Sequence, residues 1–382
     1  MVISMGKSSP HSTVELRKIN RNRVFHYLYH AAEPLTKQEL AYRLSMSLPT
    51  LTQNLTELIG MGLVDNSETA GSNGGRKPRI LSVVPRARWA LGVEISSQHI
   101  RLAALDLQVH ELGLRGINLP FHTGEEYSVR LSQTIECFID ELGLDRSRLL
   151  GVGISIPGIV DNGQRYVTAA PTLGVRKLDV HCIAEHIPYP VCLVNDANAG
   201  GFAECWERTG SVQHMAYLSV SRGVGGAILT SGTAYLGTNG RSGEFGHMCI
   251  HPGGAPCSCG RRGCLEAYCS TARLSDDIGV TLEGFFQALS RGDAAYSALW
   301  ARYLDDLAVG IANIYAALDC EIVLGGKLSR FMDENFDALD QRLRRLDPFY
   351  QEKPYLSICR YYDHSNCIGA ALYFVAQFIQ QI

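Results

Sequence analysis

The stretch from residue 246 to residue 264, GHMCIHPGGAPCSCGRRGC, sets His247, Cys257, Cys259 and Cys264 among glycines and prolines. One imidazole and three thiolates suit a tetrahedral Zn²⁺, and four protein ligands leave no open position for a reactive water. The expected ion is therefore structural, about one per chain. Cys249, His251 and Cys269 lie near enough in sequence to be substitute ligands. A loop folded onto zinc would also orient His247 and Glu266, so that both point at one bound molecule. Glu244 shares the GEFGH turn with His247.

A second chemistry-bearing stretch is VNDANAG, where Asn195 and Asp196 end an apolar strand and open a helix. A carboxylate facing a cleft can take a proton from a hydroxyl or accept its hydrogen bond. The same two side chains could instead cap the helix that begins at Ala197. Gly158, in IPGIVD, would allow a ligand close to the backbone.

Positioning these groups falls to alternating strands and helices that start at Trp89. WALGVEIS and IRLAALDLQ predict a hairpin, Ser128–Glu141 a helix, and LLGVGISIPG and VCLVNDANAG buried strands. HMAYLSVSRGVGGAILTSGTAYLG repeats the hairpin style, and helices near 281–318 precede the strand CEIVLGG. Two strand-rich lobes with helical crossovers imply a duplicated α/β body with a ligand cleft between the lobes.

The first 85 residues read differently. Glu15–Ala31 has helical spacing, TKQE at Thr36 is a capping box, and a third helix starts near Ser47. Leu48, Leu51, Leu55 and Leu58 share one face of that helix, and Thr50, Gln53 and Asn54 are expected opposite, within reach of base edges and phosphates. Leu63–Val64 and Arg79–Val84 then flank a Gly/Ser/Asn-rich tip. That is the pattern of a wing, with Arg76, Lys77 and Arg79 suited to the phosphate backbone or the minor groove. Charge agrees: residues 1–88 carry 12 Lys and Arg against 6 Asp and Glu, and the remainder 23 against 32. A basic module on an acidic body points to a polyanion partner for the module alone.

At 382 residues the chain is long enough for two or three domains. It has no apolar run near the roughly 18–20 residues of a membrane span. The first residues lack a signal-peptide core. Its 12 cysteines are mostly scattered through apolar segments, which fits reduced thiols and a cytoplasmic location better than a disulfide framework.

Taken in order, GISIPGIVD, VNDANAG, GVGGAILTSGTAYLG, GEFGH and CSCGRRGCLEAY resemble the ROK family of repressors, open reading frames and sugar kinases. With the basic module in front, the chain is similar to ROK repressors of the xylose and N-acetylglucosamine regulator type. The resemblance implies a winged helix-turn-helix at 1–85 and a two-lobed, actin-like (ASKHA/ROK) α/β body. Its first lobe would span 86–195, with a helix returning at about 360–382, and its second 196–360. The resemblance also assigns zinc to His247, Cys257, Cys259 and Cys264, and sugar hydroxyls to Glu244, His247 and Glu266. Asn195 would hold neighbouring hydroxyls, and Asp196 stands where the kinases keep their general base. The kinase Asp-x-Gly-Gly-Thr turn, however, is here Glu94-Ile95-Ser96-Ser97-Gln98, and the second phosphate loop, Ser221–Gly226, is only half glycine-rich. The expectation is a non-catalytic, sugar- or sugar-phosphate-responsive repressor acting on operator DNA as a homodimer or dimer of dimers. A ROK-type sugar kinase with an accessory DNA-binding arm is the rival reading.

Overall fold

The structure is a computed structural model that describes residues 13–67, 79–161, 163–208, 212–348 and 354–382. Its N-terminal part runs α1 (Thr13–Tyr29), β1 (Leu35–Thr36), α2 (Lys37–Leu44), α3 (Leu48–Gly60), β2 (Val64–Asp65) and β3 (Ile80–Val83). The capping box forms: Thr36 N–H donates to Glu39 Oε2 (2.7 Å) and Glu39 N–H to Thr36 Oγ1 (3.3 Å). Ser47 caps α3 by accepting from Thr50 N–H. Leu40, Leu44, Leu51, Leu55 and Leu58 are buried with Val24, Phe25 and Leu28. The strand β3 lies between β1 and β2, antiparallel to both. The two-residue β1 is too short for any periodicity to reveal it. Arg76 and Lys77 lie outside the described residues.

The body continues with β4 (Trp89–Ile95), β5 (His99–Asp106), β6 (Glu111–Asn118), α4 (Glu125–Leu142) and β7 (Leu149–Ile156). A small antiparallel sheet of β8 (Ile159–Val160), β9 (Tyr166–Ala170) and β10 (Val175–Asp179) follows. Next come α5 (His181–Ala184), β11 (Val191–Asn195) and α6 (Asp196–Glu207). The second lobe holds β12 (His214–Val220), β13 (Val224–Thr230), β14 (Thr233–Ala234), α7 (Glu266–Cys269), α8 (Leu282–Ser290) and α9 (Ala294–Leu318). It closes with β15 (Glu321–Gly325), α10 (Phe336–Leu346) and β16 (Leu356–Ile358), after which α11 (Ser365–Gln381) returns to the first sheet. The helix expected from Ser128 starts three residues earlier, just after Gly124 at its cap.

The duplication is explicit in the sheets, which run β6-β5-β4-β7-β11 and β14-β13-β12-β15-β16. In both, the first three strands are antiparallel neighbours and the last three are parallel ones. A helix follows the last strand of each sheet and packs on the sheet of the other half. Thus α6 leaves β11 and packs on β12 and β13, where a Cβ on Gly201 would stand 3.0 Å from Ala227 Cβ. Conversely, α11 covers β4 and β7, where a Cβ on Gly92 would stand 1.7 Å from the Cys367 carbonyl oxygen and one on Gly153 2.0 Å from that of Ala370. The two helices meet at Gly369, whose Cβ would stand 1.7 Å from Ala199 O. The fully buried Glu204 carboxylate of α6 ties down the segment before α11, accepting from Arg360 N–H (2.9 Å) and Tyr361 N–H (3.2 Å) and pairing with Arg208 (2.6 Å).

The helix contact makes a stability prediction. Gly369→Ala forces a methyl onto backbone that neither helix can yield, and is expected to cost about 2–3 kcal/mol or more. Gly60→Ala, at a position with nothing within 4 Å, should instead be neutral or stabilising by up to ~1 kcal/mol. Urea unfolding of the two variants beside the parent checks this, and equal midpoints would contradict the tight crossing.

Candidate functional site

The metal loop is built from short turns. Ile250 N–H donates to Gly263 O, Gly263 N–H to Ala255 O, Leu265 N–H to Met248 O and Cys257 N–H to Arg261 O, each at 2.8 Å. Gly263 sits at φ +81°, and a Cβ there would meet His251 O at 1.8 Å, so only glycine lets the chain double back. The result brings ligand atoms of His247, Cys257, Cys259 and Cys264 within 4.8 Å of one another. His247 Nδ1 is 3.7 Å from Cys257 Sγ, and the sulfurs of Cys259 and Cys264 are 3.8 Å apart. Three thiols and an imidazole at these separations are the donor set of a tetrahedral Zn²⁺ site. The nearby alternatives are otherwise engaged. His251 pairs with Asp306 (2.6 Å), Cys249 Sγ faces Arg262 O (3.9 Å), and the buried Cys269 faces Tyr303 O (4.0 Å). The Cys259 thiol is pulled down to about 6, chiefly by the Arg261 backbone N–H, which favours the thiolate that a metal binds.

Carboxylates adjoin this loop. With Nδ1 turned to the thiols, His247 Nε2 is 4.0 Å from Glu244 Oε2. Glu266, the first residue of α7, accepts from Val224 N–H (3.0 Å) through Oε2 and from Ser258 Oγ (2.8 Å) through Oε1. Burial raises the Glu244 carboxyl above its ordinary value, with His247 opposing and Glu266 adding to the rise. Asp196 joins the same electrostatic neighbourhood from the start of α6. Its carboxyl is pushed up to about 7, first by burial, with Glu94 and Glu244 contributing repulsion. Asp196 Oδ1 accepts from Ala197 N–H (2.9 Å) and Asn195 Nδ2 (3.1 Å).

Two expectations change in their physical reason. Asn195 is the helix cap: its Oδ1 accepts from Asn198 N–H, and its Nδ2 also donates to Gly158 O (both 2.9 Å). Its amide donors are spent on positioning. Gly158 has φ +119°, and a Cβ there would stand 2.3 Å from Ala169 O, so β9 rather than a ligand demands the glycine. In the N-terminal part, Asn54 is corrected outright. It is 2% exposed and donates to Thr50 O (2.8 Å), so it faces the helical core and not a partner. Gln53 is exposed beside the Arg17 guanidinium, Thr50 is half-buried with its hydroxyl on Ser47 Oγ, and Arg79 is exposed.

Around the two phosphate-loop positions the protein's own atoms fill the hydrogen bonds. Ser96 Oγ donates to His99 O (2.7 Å), closing the β4–β5 turn. Ser221 Oγ accepts from Lys327 N–H (3.0 Å), and Arg222 pairs with Asp276 (2.7 Å). Ion pairs complete this side. Glu94 holds Arg101 (3.0 Å) and accepts from Asn366 Nδ2 (3.0 Å), and Asp363 pairs with Arg330 (3.1 Å) and lies 3.9 Å from Arg101. The signal for the first pair was present, because a hairpin turning at Ser96–Gln98 sets Glu94 opposite Arg101.

The family model described as "ROK family" matches residues 90–377 of the chain. The putative xylose repressor of Caldicellulosiruptor sp. (strain Rt8B.4) is 28% identical over 337 residues, covering 82% of this chain and 83% of that protein. The glucokinase of Halalkalibacterium halodurans is 29% identical over 279 residues, covering 66% of this chain and 84% of that one. Among solved structures, a ROK family transcriptional regulator described as a homolog of the E. coli MLC protein superposes with a TM-score of 0.78 at 22% identity. The superposition covers 96% of this chain and 97% of that one.

Asp196 makes the stability of the ligand-free protein depend on pH. An acid whose folded pKa lies above its unfolded one costs stability as pH rises through the unfolded value, and the cost is complete above the folded value. Asp196→Asn is therefore expected to stabilise the free protein by roughly 2–4 kcal/mol above pH 7, with the gain shrinking towards zero near pH 4. Urea midpoints of the two proteins at pH 8 and pH 5 check the sign: a gain that grows on acidification would refute it.

Proposed function

The chain belongs to the ROK family, and from that membership we propose that it is a DNA-binding repressor released by a sugar or sugar phosphate held in its cleft. Residues 1–85 form the DNA-binding winged helix, and the sugar-binding body divides into a lobe of 86–195, joined by α11, and a lobe of 196–360. Arg76, Lys77 and Arg79 serve the wing, and Thr50 and Gln53 serve the recognition helix; Arg79 and Gln53 are exposed as that role requires. Zn²⁺ on His247, Cys257, Cys259 and Cys264 would supply no chemistry at the sugar and would hold one wall of its pocket. Glu244, His247 and Glu266 accept or donate to sugar hydroxyls on that wall, and Asp196 does so from the floor, with Asn195 and Gly158 holding Asp196 in place. The likeness to a named xylose repressor supports this reading. A location in the cytoplasm and action as a homodimer or dimer of dimers on a two-fold operator follow from the same reading.

The observation that carries binding without turnover is the internal closure of both phosphate loops by Ser96, Ser221 and the Arg222–Asp276 pair. Phosphoryl transfer depends on donors aimed at the charge that develops on the phosphate. Here the Ser96 hydroxyl and the Arg222 guanidinium are turned to His99 O and Asp276. The rival reading, a sugar kinase, draws on the likeness to a named glucokinase, and a coupled ATP-consumption assay with D-xylose, D-glucose and N-acetylglucosamine decides between the two. ATP-dependent phosphorylation abolished by Asp196→Asn would overturn the repressor reading.

Two outcomes are expected of the repressor. In a melting screen of those sugars plus glucose 6-phosphate and N-acetylglucosamine 6-phosphate, at least one should stabilise the protein. Glu244→Ala and Glu266→Ala should then weaken its binding by about 1.5–3 kcal/mol each with zinc content intact. Cys259→Ser should lower metal content and sugar affinity together.

On DNA selected by the full chain, Gln53→Ala should cost roughly 1–3 kcal/mol and relax the preference at one base position. Arg79→Ala should weaken all sequences alike and flatten the salt dependence. Binding titrations over a range of salt concentrations separate the two, and a base-specific loss with Arg79→Ala would contradict its assignment to the backbone.

A further inference from the structure

We propose that α1 senses the angle between α6 and α11, and that this three-helix joint carries sugar-driven lobe closure to the DNA-binding module; the proposal rests on the repressor reading above. Each of the two long helices rides on a different lobe, α6 on the second sheet and α11 on the first. They touch backbone to backbone where Gly369 meets Ala199. A contact with no side chain between is a pivot: the helices can turn about it but have no room to slide closer. Closure of one lobe on the other therefore becomes a change in their crossing angle. Beyond the pivot about 12 Å of α6 and about 18 Å of α11 remain, so a turn of about 10° displaces their far ends by ~2 Å and ~3 Å.

Both far ends reach α1. At the end of α11, Asn22 Nδ2 donates to Ile379 O (2.7 Å) and Arg21 Nε to Ile382 O (3.1 Å). Val24, Phe25 and Leu28 share a core with Val375, Ala376 and Ile379. At the end of α6, the Trp206 ring meets Tyr29 edge-on at 6.2 Å. The Tyr29 hydroxyl meanwhile donates to Leu107 O of the first lobe (2.6 Å). So α1 is fastened by hydrogen bonds to the first lobe and its helix, and through Tyr29 also to Trp206 of the second lobe's helix. The start of that same helix is Asp196, at the floor of the sugar site.

The joint also has room to move. A cavity of about 280 Å³ opens beside it, lined by Tyr29, Gln108, Val109, His110, Trp206 and Glu207. Gln108 and His110 on its rim are exposed, so this space is an open surface depression at the edge of the joint and not an internal void. On the sugar side, Phe202 backs Trp206 (6.0 Å) and contacts Tyr373 of α11 (4.8 Å), so both helices push on the same rings.

The test uses the full chain with the sugar that the melting screen selects and the DNA selected by the full chain. Trp206→Phe and the double variant Asn22→Ala/Tyr29→Phe are read by sugar affinity, by DNA affinity without sugar, and by the ratio of DNA affinities without and with saturating sugar. Both affinities are expected to stay within about threefold of the parent, while the ratio falls about tenfold, within the span of ordinary coupling. In the parent, sugar is expected to change hydrogen exchange in residues 22–29 and 375–382. Variants that keep the full ratio overturn the joint and leave the repressor reading standing, as does sugar release of DNA with no change of exchange in those segments. A parent that binds sugar and DNA but shows a ratio of one overturns the repressor reading and the joint with it.

Discussion

The molecule turns on a place where two helices touch without side chains. Ala199 carbonyl lies where a Gly369 methyl would be, and α11 lies as close to Gly92 and Gly153 of the first sheet. Close approach at three positions of one helix packs its backbone against both a sheet and another helix. Any added methyl would act on all of them together, because a packed interior transmits strain. Asp196 and Asn195 inherit their position from this contact, since they start the helix that Gly369 holds. The buried Glu204 gives the crossing a polar lock. Its carboxylate is satisfied by two backbone N–H groups and Arg208, which is the condition under which a buried charge is tolerated.

Much of this arrangement is legible in the residues, and what is not has a common cause. Local signals held where the physics is local: Thr36 and Glu39 form their capping box, and Ser47 caps α3. The order of strands is legible because each half repeats the same hairpin style before its parallel strands. Asn54 is the instructive miss. Position 54 falls between Leu51 and Leu58 at helical spacing, on the buried stripe, so strict use of the 3.6-residue period would have placed it inside. Its polarity outweighed its position. Tyr29 with Trp206 and Asp363 with Arg330 had no such route, because their partners are far apart in sequence and only the assembled fold makes them neighbours.

The two sides of the proposed site differ in how their charged groups are paired. On one side Glu244 lies 4.0 Å from His247 Nε2, and the two Glu266 oxygens accept from Val224 N–H and Ser258 Oγ. Across the cleft, Arg101 already neutralises Glu94, and Arg330 already holds Asp363. The raised Asp196 carboxyl fits the same picture, since a group that is partly protonated near neutrality can donate to a hydroxyl oxygen as well as accept from its hydrogen.

A ligand moves a conformational equilibrium only by binding one state better than the other. The proposed sugar contacts are divided in a way that meets this requirement. Glu244, His247 and Glu266 belong to the second lobe and its metal loop. Asn195, at the last residue of β11, belongs to the first-lobe sheet and is bonded to Gly158 of the same lobe. Asp196, one residue later, opens the helix that packs on the other lobe. Asn195 sets Asp196 from the first-lobe strand end, so on the proposed reading a sugar held between Asp196 and the Glu244–Glu266 wall would gain or lose hydrogen bonds with the position of β11 and α6. Had all the contacts stood on the zinc-braced wall, the same affinity would have left the lobe equilibrium unchanged. On the proposed reading the His247–Cys264 loop matters less as a source of affinity than as a reference, against which the position of β11 and α6 decides whether the set of contacts is complete.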